Sequence, residues 1–302
     1  MKIGILGLGK MGKQILSRLL RDKHVVVVTS SKPETLAMAA AEGADTANSL
    51  AEMVHKLGDH PIVWMMIPSD AVENQMAAII DLMPHGGTII DGGNSDYRQT
   101  KRRAALAAER GVQLVDAGTS GGILGEAHGF SIMVGGDKAT VDSLSPVFQS
   151  LAQPSGWAYF GPTGAGHFTK MVHNAIEYGV MESYAEGFRM LKEGGDYPGL
   201  DLSLASQVWQ HGSIIASQLD ELCGEILRAN PGLDGIDGYV AESGEAKWTL
   251  ERAKELGMPM PAIQAAFDVR MASQTGQTDY STKLLAAMRN AFGGHAIGKP
   301  KS

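Results

Sequence analysis

Four residues near the middle of the chain, Lys170, His173, Asn174 and Glu177, stand at positions i, i+3, i+4 and i+7. On a helix that spacing puts an amine, an imidazole, an amide and a carboxylate on one face. Charges so spaced form a solvated Lys–Glu surface by default. The neighbouring His and Asn, and the apolar remainder of Gly164 to Tyr178, favour a lined cleft instead. A second kind of chemistry lies at the start of the chain, where Gly7-Leu8-Gly9-Lys10-Met11-Gly12 follows an apolar run and opens a helical pattern. The first glycine allows a tight turn, the second lets a pyrophosphate approach the backbone, and the third lets helix and strand pack closely. The helix N-terminus then offers unpaired N–H groups and a positive dipole end to the anion. Gly7, Gly9, Lys10, Met11 and Gly12 are therefore expected to bind a dinucleotide.

The end of the second strand selects the cofactor. A site for NAD places Asp or Glu there, about 20 residues beyond the glycines, to hold the ribose 2′-hydroxyl. Here the segment reads Val28-Thr29-Ser30-Ser31-Lys32, with no carboxylate before Glu34. Hydroxyls and a lysine would hold a 2′-phosphate that an acid would repel, so Thr29, Ser30, Ser31 and Lys32 favour NADP, with NAD left open. Ser30 and Ser31 could equally cap the helix starting at Pro33, and the two roles are compatible.

Two further segments have the composition of ligand loops. Ile89-Ile90-Asp91-Gly92-Gly93-Asn94-Ser95 runs from a buried strand into glycines and polar residues. Ligands of open α/β sheets bind beyond the carboxyl ends of strands, which places Asn94 well for cofactor and substrate. Asp116-Ala117-Gly118-Thr119-Ser120-Gly121-Gly122 stands at an expected strand end, and its glycines expose N–H groups that could receive a carboxylate. Either segment alone could be an ordinary turn.

The elements that must position these groups follow from periodicity. Ile3 to Gly7, Val25 to Val28, Ile62 to Ile67, Thr88 to Asp91 and Gln113 to Asp116 read as buried strands. Helical spacing covers Lys10 to Leu20, Pro33 to Glu42, Asp70 to Leu82 and Tyr97 to Arg110. Such alternation predicts an α/β fold, a Rossmann-like doubly wound parallel sheet. Strand-like runs then stop, and helices are expected over Gly166 to Glu193, Leu202 to Leu227 and Ala262 to Ser273. The turn Gly161-Pro162-Thr163-Gly164 marks the boundary, dividing a dinucleotide-binding domain, residues 1–162, from an all-helical domain, residues 163–302.

Composition narrows the class. The 302 residues carry 44% hydrophobic and 20% charged side chains, the balance of a globular protein. A net charge of −7, from 26 basic and 33 acidic residues, argues against nucleic-acid or membrane-surface partners. The lone Cys223 rules out an intramolecular disulfide framework and is expected to be packed rather than reactive. No signal peptide or spanning segment is read, so a cytoplasmic protein is expected. No metal site is indicated.

Taken together, Ile-Ile-Asp-Gly-Gly-Asn-Ser from residue 89, Ser120-Gly121-Gly122, and the tract from Gly164 through His167, Lys170-Met171-Val172-His173-Asn174 to Glu177-Tyr178 resemble the 6-phosphogluconate dehydrogenase family. Gln207-Val208-Trp209, Lys247-Trp248-Thr249, Phe267-Asp268-Val269-Arg270 and Arg289-Asn290-Ala291-Phe292-Gly293-Gly294-His295 extend the likeness over essentially the whole chain. The helical half is shorter than in the familiar long form. The resemblance implies oxidative decarboxylation of 6-phosphogluconate to ribulose 5-phosphate and carbon dioxide with NADP, a step of the pentose phosphate pathway. It implies Lys170 as general base and then acid, and Glu177 as the acid that protonates C1. Asn94, Ser120, Gly121, Gly122, His173 and Asn174 would orient the carboxylate and hydroxyls. Tyr178, Arg270, Arg289 and His295 would hold the phosphate, the last two reaching a partner subunit of a homodimer or homotetramer. Ser243 and Glu245 depart from the family pattern, standing where it carries Lys and Thr. Two rival readings are a non-decarboxylating β-hydroxyacid dehydrogenase and a noncatalytic NADP-binding sensor. Glu177-Tyr178 and the Arg-x-x-Phe-Gly-x-His tail count against the first; Lys170 and Glu177 on one face count against the second.

Overall fold

Residues 1–298 are described by a computed structural model; the last four residues of the expected helical domain lie outside the described residues. Two compact units are resolved, Met1–Met171 and Val172–Ser302, and one long helix contributes residues to both. Among the described residues no helix is long and apolar enough to cross a membrane.

The first unit alternates as the apolar runs predict. Strands β1 (Lys2–Leu6), β2 (Val25–Thr29), β3 (Asp45–Ala47), β4 (Ile62–Met65), β5 (Thr88–Asp91), β6 (Gln113–Ser120), β7 (Phe130–Gly135) and β8 (Ala152–Gly161) form one sheet. Its order is β3-β2-β1-β4-β5-β6-β7-β8. Between the strands run α1 (Lys10–Arg21), α2 (Pro33–Ala41), α3 (Leu50–Leu57), α4 (Ser69–Leu82), α5 (Tyr97–Glu109) and the short α6 (Gly125–His128), α7 (Lys138–Ser143) and α8 (Ser145–Leu151). The chain winds outward from β1 to β3 and then returns to β4 on the other side of β1, which creates a switch point between β1 and β4.

Both faces of this sheet are apolar because successive side chains alternate. Val26 and Val28 join the core cluster that holds Ile15, Leu16 and Leu19 of α1. Val27 enters the cluster of Met53 from α3 and Met76 and Ile79 from α4. Trp64 and Ile90 follow the first set, and Val63, Met65 and Ile89 the second. A fully buried Ile or Leu in such a layer is stabilised by about 1.5–3 kcal/mol relative to an exposed one.

Three strands, β3, β7 and β8, depart from the expected set, and two of them depart from parallel order. β7 runs antiparallel to β6, and β8 runs parallel to β7, so the last two strands oppose the other six. β6 is longer than expected. Asp116 is not at its end but inside it, paired with Asp91 on one side and Gly135 on the other.

The second unit is helical: the rest of α9 (Ala165–Glu193), then α10 (Leu202–Trp209), α11 (Gln218–Ala229), α12 (Glu245–Glu255), α13 (Pro261–Gln274) and α14 (Tyr280–Gly293). Met181, Ala185 and Phe188 of α9 line one stripe and pack with Leu202, Leu227, Leu284 and Met288. The single helix expected over Leu202 to Leu227 is two helices. Chain regularity ends at Trp209, and Ser217 starts the second helix by accepting a hydrogen bond from the Asp220 N–H at 3.2 Å. Cys223 is fully buried, its thiol 3.2 Å from Met288 Sδ, and burial pushes its pKa up. It is a packed side chain, as expected of a lone thiol.

Candidate functional site

The glycine loop has the shape its spacing predicts. Gly7 leaves β1 at φ +100°, where a Cβ would also lie 2.2 Å from the Met66 carbonyl just past β4. A Cβ on Gly12 would lie 2.0 Å from the Gly7 carbonyl, whereas one on Gly9 would meet nothing within 4 Å. The loop is therefore crowded on the protein side at Gly7 and Gly12 and open at Gly9. No side chain caps α1 and no acid occupies its first turn, so the helix end keeps its attraction for an anion. These residues fit a dinucleotide pyrophosphate. Lys10 is exposed and Met11 half-buried.

At the end of β2 the hydroxyls do not cap the next helix. Lys32, not Ser31, is the N-cap of α2, and its side chain makes no capping bond. The Ser30 hydroxyl instead accepts the Lys32 N–H at 3.1 Å, closing a local turn. Thr29 is buried, while Ser31 and Lys32 are exposed.

Beyond β5, Asp91 shapes the loop that carries Asn94. Its buried carboxylate accepts the Gly93 N–H at 3.2 Å and the Ser95 hydroxyl at 2.8 Å, and Asn94 between them is exposed. Ser120 ends β6, and Gly121 and Gly122 follow at φ +136° and +54°. Gln14 of α1 ties this segment to the glycine loop's helix, donating to the Gly122 carbonyl at 3.3 Å and accepting the Glu126 N–H at 2.7 Å. The cofactor and Ser-Gly-Gly segments thus share one framework.

The start of α9 is held by residues to which no role was assigned from sequence. Asp116, fully buried in β6, accepts the Gly164 N–H at 2.7 Å and the His167 N–H at 2.8 Å. A carboxylate there satisfies orphan donors and complements the positive helix end. His167 is itself buried, with Nδ1 2.7 Å from the Thr100 hydroxyl and Nε2 3.1 Å from the Asp91 carbonyl. Lys170 follows one turn later and is 4% exposed. A Cβ on Gly118 would lie 2.4 Å from Lys170 Cβ, so glycine in β6 is what lets the lysine-bearing turn lie against the strand.

Within the second unit, α9 continues with His173, Asn174, Glu177 and Tyr178. The Asn174 amide donates to Glu245 Oε1 at 2.9 Å, and its carbonyl oxygen lies 3.0 Å from His173 Nδ1. Glu177 Oε2 is 3.9 Å from the same His173 nitrogen. Tyr178 is buried, its hydroxyl 3.4 Å from the Ser243 hydroxyl. The Arg270 guanidinium lies 3.2 Å above the Tyr178 ring centre, a cation–π contact in a dry setting. Arg270 is 1% exposed, and burial lowers its pKa to about 10. One of its nitrogens, Nη1, has no hydrogen-bond partner among the described residues. Arg289 is a buried residue of α14 whose guanidinium donates to the Ala241 carbonyl, not a solvated terminal side chain. His295 is exposed beyond the end of α14, its ring 6.5 Å from that of Phe292. The structure thus brings Tyr178 and Arg270 into contact.

Sequence reading also missed Glu182, one turn beyond Tyr178 and 6% exposed. Burial, and then the nearby Glu186, pushes its carboxyl up to about 7. An acid on the inward face of an otherwise apolar stripe was the available signal.

Comparison with known proteins adds independent findings. Residues 2–164 match the family model described as the NAD binding domain of 6-phosphogluconate dehydrogenase. Residues 166–281 match the 6-phosphogluconate dehydrogenase C-terminal domain. An NAD(+)-dependent, decarboxylating 6-phosphogluconate dehydrogenase of Haloferax volcanii is 38% identical over 305 residues, covering 99% of each chain. A Bacillus subtilis enzyme of the same description is 32% identical over 90% of this chain, which spans 61% of that longer protein. The solved 6-phosphogluconate dehydrogenase of Plasmodium falciparum, studied apo, with its cofactor NADP+ and with 6-phosphogluconate, superposes with a TM-score of 0.82. It is 28% identical, and the match covers 95% of this chain and 70% of that one.

Proposed function

This chain belongs to the 6-phosphogluconate dehydrogenase family, and we propose that it oxidises and decarboxylates 6-phosphogluconate to ribulose 5-phosphate and carbon dioxide. The observation that carries the proposal is α9 itself: a buried Lys170 and, two turns on along the same helix face, Glu177. Dinucleotide binding is assigned to residues 1–162, with the pyrophosphate at Gly7, Gly9, Lys10, Met11 and Gly12 and Asn94 beside the reacting end. Substrate and subunit contacts are assigned to residues 163–302, with Asn94 and Ser120 to Gly122 contributing from the sheet. When bound, the nicotinamide supplies the hydride acceptor for C3.

Lys170 removes the proton of the 3-hydroxyl. A general base must begin neutral, and burial of its side chain works in that direction. The resulting 3-keto acid loses carbon dioxide because its carbonyl accepts the electron pair of the breaking C1–C2 bond of the acid. Lys170, now protonated, returns its proton to that carbonyl oxygen. Glu177 protonates the carbon left by the carboxylate, which becomes C1 of the ketopentose. His173 and Asn174 orient hydroxyls, while Tyr178 and Arg270 hold the phosphate together with Arg289 and His295 contributed across a subunit contact. The unpartnered Nη1 of Arg270 supports that assignment, since a buried donor without an acceptor is costly until a ligand supplies one.

We favour NADP over NAD because residues 29–33 offer hydroxyls and Lys32 but no carboxylate. The NAD(+)-dependent relatives make NAD the alternative outcome. Purified protein mixed with 6-phosphogluconate and either cofactor should give equimolar reduced nicotinamide and carbon dioxide. Faster turnover with NADP supports the loop reading. Faster turnover with NAD overturns it and leaves the reaction standing. Lys170→Ala should lose about 10³-fold in kcat and keep its cofactor affinity; loss of cofactor binding instead would count against a role as base.

We also read the chain as one subunit of a homodimer or homotetramer. Leu200, Leu204, Val208, Ile214 and Ile215 of the second unit are exposed, an apolar grouping that suits subunit contact. Light scattering at micromolar concentration should find no monomer.

A further inference from the structure

We propose that Glu245 is a positioning residue that fixes which nitrogen of His173 carries the proton. The inference rests on the reading above that His173 and Asn174 orient substrate hydroxyls. Glu245 is the first residue of α12 and is 3% exposed. One oxygen, Oε1, accepts the Asn174 amide at 2.9 Å, and the other, Oε2, has no hydrogen-bond partner among the described residues.

A carboxylate offers acceptors only, so Asn174 must turn its NH2 group toward Glu245. Its carbonyl oxygen is thereby left facing His173 Nδ1 at 3.0 Å. An amide oxygen also only accepts, so the hydrogen between them belongs to Nδ1. The neutral imidazole then has its lone pair on Nε2. Adjacent residues of a helix do not normally face each other, so the His173–Asn174 contact shows both side chains drawn to one point. Glu177 does not set the tautomer, because its nearest oxygen is 3.9 Å from Nδ1 and outside hydrogen-bond reach.

The consequence is a histidine whose Nε2 is an acceptor, the character that suits a donating hydroxyl of a polyhydroxy acid. Glu245 stands where the family pattern has a threonine, and a buried carboxylate cannot serve as a phosphate contact. Its hydrogen bond to Asn174 gives it a different task. The open Oε2, also an acceptor, marks the same place as one prepared for a donor-bearing ligand such as a sugar-acid hydroxyl.

The test uses the full chain with 15N-labelled histidine, at a pH where the His173 ring is neutral, assigned with His173→Asn. Wild type should show the Nδ1–H form. Glu245→Thr withdraws the acceptor to a side chain too short to reach Asn174 and should give a mixture or the Nε2–H form. It should also raise KM for 6-phosphogluconate about tenfold, with kcat changed less and cofactor affinity unchanged. Glu245→Gln keeps an acceptor oxygen and should retain the wild-type tautomer. An Nε2–H form in wild type, or Glu245→Thr with wild-type tautomer and KM, overturns the proposal. If Glu245→Thr melts early, Glu245→Asp, too short to reach Asn174, takes its place with the same expectations. The tautomer signal needs no turnover, so wild type that fails to oxidise 6-phosphogluconate would remove the proposed reaction while this reading is still decided by the spectra.

Discussion

The two parts of α9 sit in opposite kinds of polar surroundings. At its start, every polar atom of the clamp is bonded: Asp116 accepts two helix N–H groups, and His167 uses both ring nitrogens on Thr100 and Asp91. Further along, in the second unit, buried charged groups are left partly unmet: Glu182 Oε2, Glu245 Oε2 and Arg270 Nη1 have no hydrogen-bond partners among the described residues. Low dielectric strengthens a satisfied network and penalises an open one. The first arrangement therefore suits a scaffold that must not move. The second suits a surface completed by something outside the chain, because folding alone gains nothing from burying an unpaired charge.

The strongest way to break this contrast is to open the closed network. Asp116→Ala leaves the Gly164 and His167 N–H groups buried without an acceptor, at about 4 kcal/mol. Chemical denaturation should show that loss, and turnover should fall with it because the Lys170 turn loses its anchor. A stability within about 1 kcal/mol of wild type would mean that the clamp is no scaffold.

How much of this was visible in the sequence differs between the two parts. The glycine loop was legible because its three glycines answer to local crowding at Gly7 and Gly12 and to openness at Gly9. The Lys170–Glu177 face was legible because helix spacing is a local property. The Asp116 clamp was not, since its partners lie 48 and 51 residues downstream and no periodicity links them. The strand carrying it was expected to stop at Asp116, but pairing with β7 carries it on to Ser120. Both β3 and β8 are edge strands, the first only three residues long and the second interrupted by Pro154, which an edge position tolerates. α14 was missed because its capping box uses Thr282 in place of the usual Glu or Gln. Arg289 could then not be placed on a buried helix.

The open network should respond in the reverse sense. Arg270→Met exchanges a desolvated guanidinium for an apolar side chain of similar length, a replacement often neutral or stabilising. Thermal stability should hold or rise, while KM for 6-phosphogluconate should rise about 30-fold, as expected for one lost charged hydrogen bond of about 2 kcal/mol. A fall in stability with KM unchanged would make Arg270 part of the scaffold and erase the contrast between the two parts of the helix.

The smallest expected effect lies at Glu182, and its sign is the useful part. Its folded pKa is raised from 4.5 to about 7 by burial, with Glu186 adding to the shift. Between those values the native state holds a proton that the unfolded chain has released. Stability therefore declines as pH rises from about 4.5 to about 7, opposite to a salt-bridged acid. Glu182→Gln should match wild type below that window and exceed it above, by on the order of 2 kcal/mol once solvent screening discounts the full shift. Denaturant midpoints at about pH 4 and pH 8, either side of the window, measure the difference. Equal midpoints at both would show that Glu182 is compensated in solution. The wild-type penalty should also shrink if a ligand at Arg270 brings a donor to the unbonded Oε2, and grow if it brings only negative charge. Adding saturating 6-phosphogluconate at pH 8 to both proteins therefore tells whether Glu182 belongs to the substrate-holding surface or is an isolated buried acid.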